Sequence, residues 1–227
     1  MKKKGAKTSI EKALDLIETL KEKEHLGVTE LSGILGLNKN NVFRILATLE
    51  VKGIVEQDKE TEHYKLGMKL LSLEHAYLQS LKFLKVIRPF IRALRNKLQE
   101  SVYISVLHKD SIVYIYSEDS KRSVLVNSRI GRRFSADTTA AGKALKKAFK
   151  TEDFPVEEDW EQTEPEVAEI SSVIRDDHNQ PIAAISIILP AQRAKKEDIK
   201  LMKKMLQQTC IEASERLKES QLSANKR

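Results

Sequence analysis

The sequence has few of the residues that build stapled or metal-bound domains. Its 227 residues include one cysteine, eight glycines and five prolines. With Cys210 alone, an internal disulfide bond and a cysteine-rich zinc site are excluded, and its helical surroundings predict a small buried or interface residue. The five histidines show no metal-ligand spacing, and no glycine-rich phosphate loop or nucleophile elbow is present. We therefore expect no metal, no cofactor and no catalytic residue.

Long apolar runs are also missing. None approaches the ~20 residues that a membrane-spanning helix needs. The basic start Met1–Lys4 is followed by no apolar stretch before Ile10, so no secretory leader is expected. These features predict a cytoplasmic protein without a membrane partner. Hydrophobic residues form 41% of the chain, which is enough for a buried core in one large domain or two small ones.

The net charge of +7 is unevenly distributed. Residues 1–65 carry 12 Lys and Arg against 11 acidic residues, residues 66–150 carry 17 against 6, and residues 151–227 carry 11 against 16. The net charge of residues 1–65 therefore gives no argument that they bind nucleic acid. Affinity for phosphates would have to come from locally clustered cations. The local cations are Lys2, Lys3, Lys4, Lys7, Lys39, Arg44, Lys52, Lys59 and Lys65.

Residues 29–53 predict two short helices joined by a tight turn. Thr29 is expected to cap the first helix, Gly36 to end it with a positive φ, and Asn38 to cap the second. The expected buried positions are Leu31, Ile34 and Leu35 in the first helix, and Val42, Ile45, Leu46 and Leu49 in the second.

Opposite that buried side, Asn40, Asn41, Arg44 and Thr48 are expected on one exposed face. Asparagine pairs bidentately with adenine and arginine with guanine, and a helix-turn-helix places the start of its second helix in the major groove. The face therefore favours double-stranded DNA as a partner. An ordinary helical hairpin with a solvated polar face is the alternative.

The flanking segments complete a winged helix-turn-helix. Thr8 and Glu11 form a capping box that opens a helix to about Lys23. Residues 54–57 and 63–66 predict a hairpin around a turn at 58–62. The first helix is expected to bury Ile10, Ala13, Leu14, Ile17 and Leu20.

Several stretches resemble the IclR family of bacterial transcription regulators. They are Ser-Ile-Glu-Lys-Ala-Leu at 9–14, Val-Phe-Arg-Ile-Leu-Ala-Thr-Leu at 42–49, Tyr-Lys-Leu-Gly at 64–67, Ala-Ala-Gly-Lys-Ala-Leu at 140–145, Glu-Pro-Glu-Val-Ala-Glu-Ile-Ser at 164–171 and Pro-Ile-Ala-Ala-Ile-Ser-Ile at 181–187. The resemblance implies an α+β fold: a winged helix-turn-helix at 1–67, a dimerising linker helix at 68–81, and a GAF-like α/β effector domain with an antiparallel sheet at 82–227. It implies a homodimer or tetramer that binds DNA and a small-molecule effector.

The wing departs from the family pattern. Family members often have Thr-Gly-Arg-Tyr near its tip, where this chain has Thr61-Glu62-His63-Tyr64. The acidic side chains Asp58, Glu60 and Glu62 disfavour phosphate contact, and we expect Lys59 and Lys65 to help instead. The expected DNA-binding residues are Thr29, Asn38, Lys39, Asn40, Asn41, Arg44, Thr48, Lys59 and Lys65.

After the linker, a helix is expected to continue to about Leu98, with Pro89 kinking or restarting it. This helix carries a basic stripe made of Lys85, Arg88, Arg92 and Arg95. The stripe is either a solvated face or a surface that contacts the acidic segment 150–165 or flanking DNA. Strands are expected at 102–107, 112–116, 123–130 and 181–189, with a small-residue helix opening at 137–142 and a last helix at 195–219.

The effector positions follow from the resemblance. The family pocket loop matches Thr139, Ala140 and Ala141, where free helix N–H groups could hold an anion. Glu169 matches a position where family members frequently have a cysteine. The family often has two serines on the following strand; Ser186 matches the first, and Ile188 stands in place of the second. Asp159 loosely matches a carboxylate that contacts the ligand in the family. The segment 150–165 is shorter than usual. We hypothesise a degenerate pocket that binds a different ligand, such as a cation, or binds none.

Two other functions stay open at this point. A non-specific architectural DNA-binding protein would show little discrimination between sequences. An enzyme in which Cys210 and His178 meet is the more remote alternative.

Overall fold

The computed structural model describes residues 7–224, with side chains up to residue 220. The tail cations Lys2–Lys4 and the last three residues, where fraying is expected, lie outside this part. In the described part, no helix is long and apolar enough to cross a membrane. The helices are Ser9–Glu22 (α1), Val28–Leu35 (α2), Lys39–Val51 (α3), Lys69–Ser80 (α4), Lys82–Leu98 (α5), Ala140–Ala148 (α6) and Lys196–Ala224 (α7). The strands are Val55–Gln57 (β1), Tyr64–Leu66 (β2), Ser101–His108 (β3), Ser111–Glu118 (β4), Arg133–Ser135 (β5), Glu157–Trp160 (β6), Val167–Arg175 (β7) and Pro181–Pro190 (β8).

The chain forms two compact units, one up to Ser80 and one from Leu81. The first unit is a winged helix-turn-helix: α1–α3 pack around one core, and β1 and β2 form an antiparallel hairpin. Leu26, just before α2, bridges to Tyr64 at the start of β2. The core is made of Leu16, Leu20, Leu26, Leu31, Val42, Leu46, Val55 and Tyr64.

The start of α1 agrees with the sequence, but its buried side does not. Thr8 and Glu11 form the reciprocal capping box, in which the Glu11 carboxylate accepts the Thr8 N–H at 2.7 Å. Leu16 and Leu20 are buried, whereas Ile10 and Leu14 are exposed. The prediction was therefore right for Leu20 and wrong for Ile10 and Leu14, because several stripes of one helix fit a 3.6-residue period and only packing within the unit decides between them.

Thr29 does not cap α2. The helix begins earlier, with Gly27 as the N-cap residue, and the Glu30 carboxylate accepts the Gly27 N–H at 2.8 Å. Thr29 is therefore already helical and exposed. Ile34, expected in the core, is exposed as well. Gly36 ends the helix at φ 63° as expected, because this left-handed conformation carries no penalty for glycine.

The second unit is built on a six-stranded antiparallel sheet in the order β5-β4-β3-β8-β7-β6. Helix α6 covers one face, where its alanines pack on Tyr114, Val173 and Ile188. Helices α5 and α7 cover the opposite face. Cys210 of α7 is fully buried there, as expected, and burial raises the pKa of its thiol to about 12.

One prediction for this unit was wrong, and two features were not predicted from the sequence. Residues 123–130 form no strand, and only Ile130 makes an isolated bridge, to Tyr114, because this segment crosses the α6 face as a loop. The acidic segment contains an edge strand, β6, that its composition hid. The basic stripe of α5 meets β4 instead of the acidic segment: Arg92 and Arg95 both form ion pairs with Glu118. Pro89 lies inside α5 without ending it.

Candidate functional site

The start of α3 is fixed by its own N-cap. The side-chain oxygen of Asn38 accepts the N–H of Asn41 at 2.8 Å, which satisfies one of the free donors of the first turn. Asn38 is thereby engaged in holding the helix. Lys39, Asn40 and Arg44 project from the first turns and are exposed.

The predicted polar face divides into two parts. Asn40 and Arg44 are exposed, whereas Asn41 is half-buried and borders a groove of about 470 Å³ between α1 and α3. Thr48 is exposed, but its hydroxyl donates to the Arg44 carbonyl at 2.9 Å. Asn40 and Arg44 are therefore the two side chains of this face that are both exposed and free to turn towards a ligand.

An aromatic residue that the sequence analysis missed lies between them. Phe43 is 57% exposed, although its neighbours Val42 and Leu46 are fully buried. The signal was present, because Phe43 falls three residues after Asn40 and off the stripe of Val42, Ile45, Leu46 and Leu49. The exposed face of α3 is therefore mixed: a cation, an amide and a phenyl ring.

The wing presents Lys59 at its turn, exposed, while Lys65 on β2 is half-buried. Asp58 is used by the turn itself, since its carboxylate accepts the N–H groups of Glu60 and Thr61 at 3.0 and 2.9 Å. The bond from Thr61 is the largest cause that lowers the pKa of Asp58. The acidic side chain of Asp58 thus stabilises the turn of the wing. Glu62 stands where the family often has glycine, and its φ is 58°.

The effector-type positions lie on the α6 face of the sheet. Thr139 is the N-cap of α6, accepting the Gly142 N–H at 3.2 Å, and Thr139, Ala140 and Ala141 are fully buried. A side chain at Gly142 would overlap the backbone of Ala136, so α6 lies very close to the preceding loop. Glu169, Ser186 and Ile188 sit on paired positions of β7 and β8 beneath this helix.

Glu169 is buried but paired. Its carboxylate accepts from the Tyr114 hydroxyl at 2.9 Å and from Nη1 of Arg129 at 3.3 Å. Arg129 also donates through Nε to Glu164 at 2.7 Å, and its guanidinium lies 5.0 Å from the ring centre of Phe134. Burial, followed by the Glu169 charge, raises the pKa of Tyr114 well above its usual value, so this hydroxyl remains a neutral donor.

The remaining positions add polar groups around this pair. Asp159 lies directly opposite Glu169 in the β6–β7 register, is buried, and accepts the N–H of Gln162 at 2.9 Å. The Ser186 hydroxyl donates to that of Ser171 at 3.0 Å. The network therefore holds the carboxylates of Asp159, Glu164 and Glu169 beside the guanidinium of Arg129, and Arg132 also pairs with Glu164.

Sequence reasoning found the acidic side of this network and missed its partners. A buried glutamate in an apolar strand demands a counter-charge. The sequence offers 17 cations between residues 66 and 150, and nothing local distinguishes Arg129 from the others. The other partners are also distant in sequence: Tyr114 lies 55 residues from Glu169, and Glu164 lies 35 residues from Arg129.

The two units define the class of protein: a winged helix-turn-helix followed by an α+β domain with an antiparallel sheet. The family model of the IclR helix-turn-helix domain matches residues 9–59, and that of the bacterial transcriptional regulator IclR C-terminal domain matches residues 75–156 and 154–215. The chain belongs to the IclR family of transcriptional regulators, which disfavours the enzyme alternative. The two C-terminal matches overlap at residues 154–156, inside the segment 150–165 that is shorter than usual for the family.

Named relatives agree. The HTH-type transcriptional regulator KdgR of Escherichia coli is 36% identical over 138 residues, covering 61% of this chain and 52% of that protein. The regulator XynR of the same organism is 30% identical over 138 residues, covering 60% and 55%. The chain spans about half the length of these relatives. The acetate operon repressor of Salmonella typhimurium is 24% identical over 225 residues, covering 83% and 82%.

Solved structures share the fold. The IclR protein of Thermotoga maritima has a TM-score of 0.74 at 20% identity, covering 92% of this chain and 98% of that one. An IclR homologue from Microbacterium hydrocarbonoxydans, complexed with 4-hydroxybenzoate, has a TM-score of 0.75 at 15% identity, covering 93% and 100%.

Proposed function

We propose that the protein is a cytoplasmic transcription regulator that reads operator DNA with α3. The observation that carries this proposal is the capped, exposed start of α3, with Asn40 and Arg44 free and Lys39 beside them. These side chains have the hydrogen-bonding groups that read adenine and guanine in the major groove. The IclR family membership supports the same role.

A homodimer is the second part of the proposal. No residue of α4 is buried, and Met68, Leu71, Leu73 and Tyr77 are each more than half exposed. An apolar helix that is left exposed in the described part of the chain is well suited to pack against a second copy. A dimer would place two recognition helices on half-sites about one turn of DNA apart, and a tetramer would combine two such dimers.

The third part concerns the effector-type domain. The homologue from Microbacterium hydrocarbonoxydans carries 4-hydroxybenzoate, a small carboxylate. In this chain the Glu169 carboxylate already holds Arg129, and Asp159 lies beside it. A small carboxylate would therefore meet the carboxylates of Glu169 and Asp159 and would have to displace an existing ion pair. We propose that this domain does not accept such ligands.

Selection from genomic DNA tests the DNA-binding proposal. The full chain is incubated with sheared genomic fragments, and the bound fragments are sequenced. We expect enrichment of a short sequence with two symmetric half-sites, lost in Arg44→Ala. Binding without any sequence preference would contradict this proposal and support the architectural alternative.

Thermal unfolding with added ligands tests the effector proposal. We expect the Tm to remain unchanged at millimolar 4-hydroxybenzoate and at similar concentrations of other small organic acids. A saturable rise of several degrees would show tight binding by linkage and overturn this part alone.

A further inference from the structure

The exposed face of α3 carries an apolar ring where a purely polar surface is expected. Asn40, Phe43, Arg44 and Ala47 follow one another at i, i+3, i+4 and i+7, so they form one stripe along the helix. Phe43 is 57% exposed and makes no ring–ring or cation–π contact within residues 7–220. The exposed phenyl ring therefore contributes little to the packing of the described chain.

The chemistry of the major groove supplies a partner for it. Thymine carries the one methyl group among the four base edges there, and phenylalanine is among the side chains that contact it. Along the helix, Asn40 and Arg44 are about 6 Å apart, which corresponds to roughly two base pairs. Phe43 lies between them on the same face, so it would reach a base pair next to those read by hydrogen bonding.

We propose that Phe43 reads the 5-methyl group of a thymine in the operator, adjacent to the base pair that Arg44 contacts. This inference rests on the proposed DNA-binding function and adds a specificity-determining residue to it. The phenyl ring distinguishes thymine from cytosine by an apolar contact, which neither Asn40 nor Arg44 makes. Continuity with the polar readers of the same stripe favours DNA over a second protein as the occupant.

Replacing thymine by deoxyuridine tests the contact one methyl group at a time. The selected operator is synthesised with each thymine exchanged singly, which preserves base pairing and removes only the methyl group. For the full-length wild-type chain, we expect one thymine per half-site whose exchange weakens binding about fourfold, the factor that burial of one methyl group is worth. For Phe43→Ala, the same exchange should have no effect.

The matched control is Phe149→Ala. Phe149 is also a phenylalanine and is 56% exposed, but it lies at the end of α6 in the second unit. This variant should keep the wild-type sensitivity to deoxyuridine. Circular dichroism should show that both variants fold, since neither ring is buried.

The outcomes separate the two proposals. Specific operator binding with no methyl-sensitive thymine, or with the same sensitivity in Phe43→Ala, overturns the role of Phe43 and leaves the regulator intact. A changed oligomeric state in Phe43→Ala with an unchanged deoxyuridine profile also overturns it and assigns the ring to a protein interface. Absence of any sequence preference in the wild-type chain overturns both proposals.

Discussion

Nη1 of Arg129 lies 3.3 Å from the carboxylate of Glu169, and the two side chains are only 1% and 0% exposed. A buried pair of this kind stabilises a fold little when intact, but it is costly to break because the remaining charge stays buried. The pair occupies the sheet face where the family resemblance implies an effector. It would therefore tie the stability of the second unit to the ligand preference proposed for it.

Arg129→Met should lower the free energy of unfolding by about 3–5 kcal/mol, because Glu169 would keep only the Tyr114 hydroxyl as a partner. The double variant Arg129→Met with Glu169→Met should recover most of this loss, since it removes both charges and retains the volume. Urea unfolding of the three proteins measures the effect. Arg132→Met is the control: Arg132 pairs with Glu164 at the surface, so its loss should cost less than about 1 kcal/mol.

Gly142→Ala should destabilise the protein, because a Cβ there would overlap the carbonyl and Cα of Ala136. The backbone of α6 or of the preceding loop would have to move, at a cost of about 1–3 kcal/mol. Gly33→Ala is the matched comparison with the opposite expected sign. Nothing lies within 4 Å of its Cβ position in α2, so alanine should stabilise by about 0.5–1 kcal/mol through helix propensity. Equal shifts in the two thermal unfolding curves would contradict this prediction.

Glu62→Gly should both stabilise the wing and strengthen DNA binding. Glu62 has a φ of 58°, a conformation that costs a residue with a Cβ about 1 kcal/mol relative to glycine. The change also removes a negative charge from the wing, so phosphate contact should improve. The effect is read from unfolding and from DNA titration at two salt concentrations. Glu62→Gln separates the two causes, because it should improve DNA binding without raising stability.

Arg44→Ala and Lys39→Ala should differ in kind. Loss of a bidentate base contact by Arg44 should reduce discrimination between operator and mutated operator by about 1–3 kcal/mol. Loss of Lys39 should weaken binding to all duplexes alike and reduce its dependence on salt. Competition titrations with matched duplexes distinguish these patterns. The assignment fails if the Lys39 variant loses discrimination and the Arg44 variant does not.

If the proposed dimer forms through α4, Tyr77→Glu should convert it into a monomer, because it places a charge in the exposed apolar stripe of that helix. Sedimentation equilibrium measures the mass, and operator affinity should fall together with it. Gln79→Glu adds a negative charge to the same helix about 160° around its axis. That variant should remain dimeric, and a monomer in both cases would indicate general disruption of α4.

The sequence was most informative where a structure depends on neighbouring residues. Thr8 with Glu11, Gly36 and Asn38 all have the capping roles expected of them, because a cap involves residues two to four positions apart. The sequence was less informative about which side of each helix is buried. Ile10, Leu14 and Ile34 were expected in the core and are exposed, since several stripes of one helix fit the same period. Residues 123–130 were expected to form a strand, but β5 takes the position beside β4 in the sheet.

The amino-acid sequence by itself determined the order of the helices and the hairpin in the first unit, and with them the family and the face proposed to read DNA. The tertiary structure alone decided that Arg129 joins Glu169, 40 residues away, and that Phe43 is left outside the core. Local patterns restrict the backbone through nearby hydrogen bonds and spacing. Burial and ion pairing depend on which distant element arrives at a surface, and this is settled only when the whole unit packs.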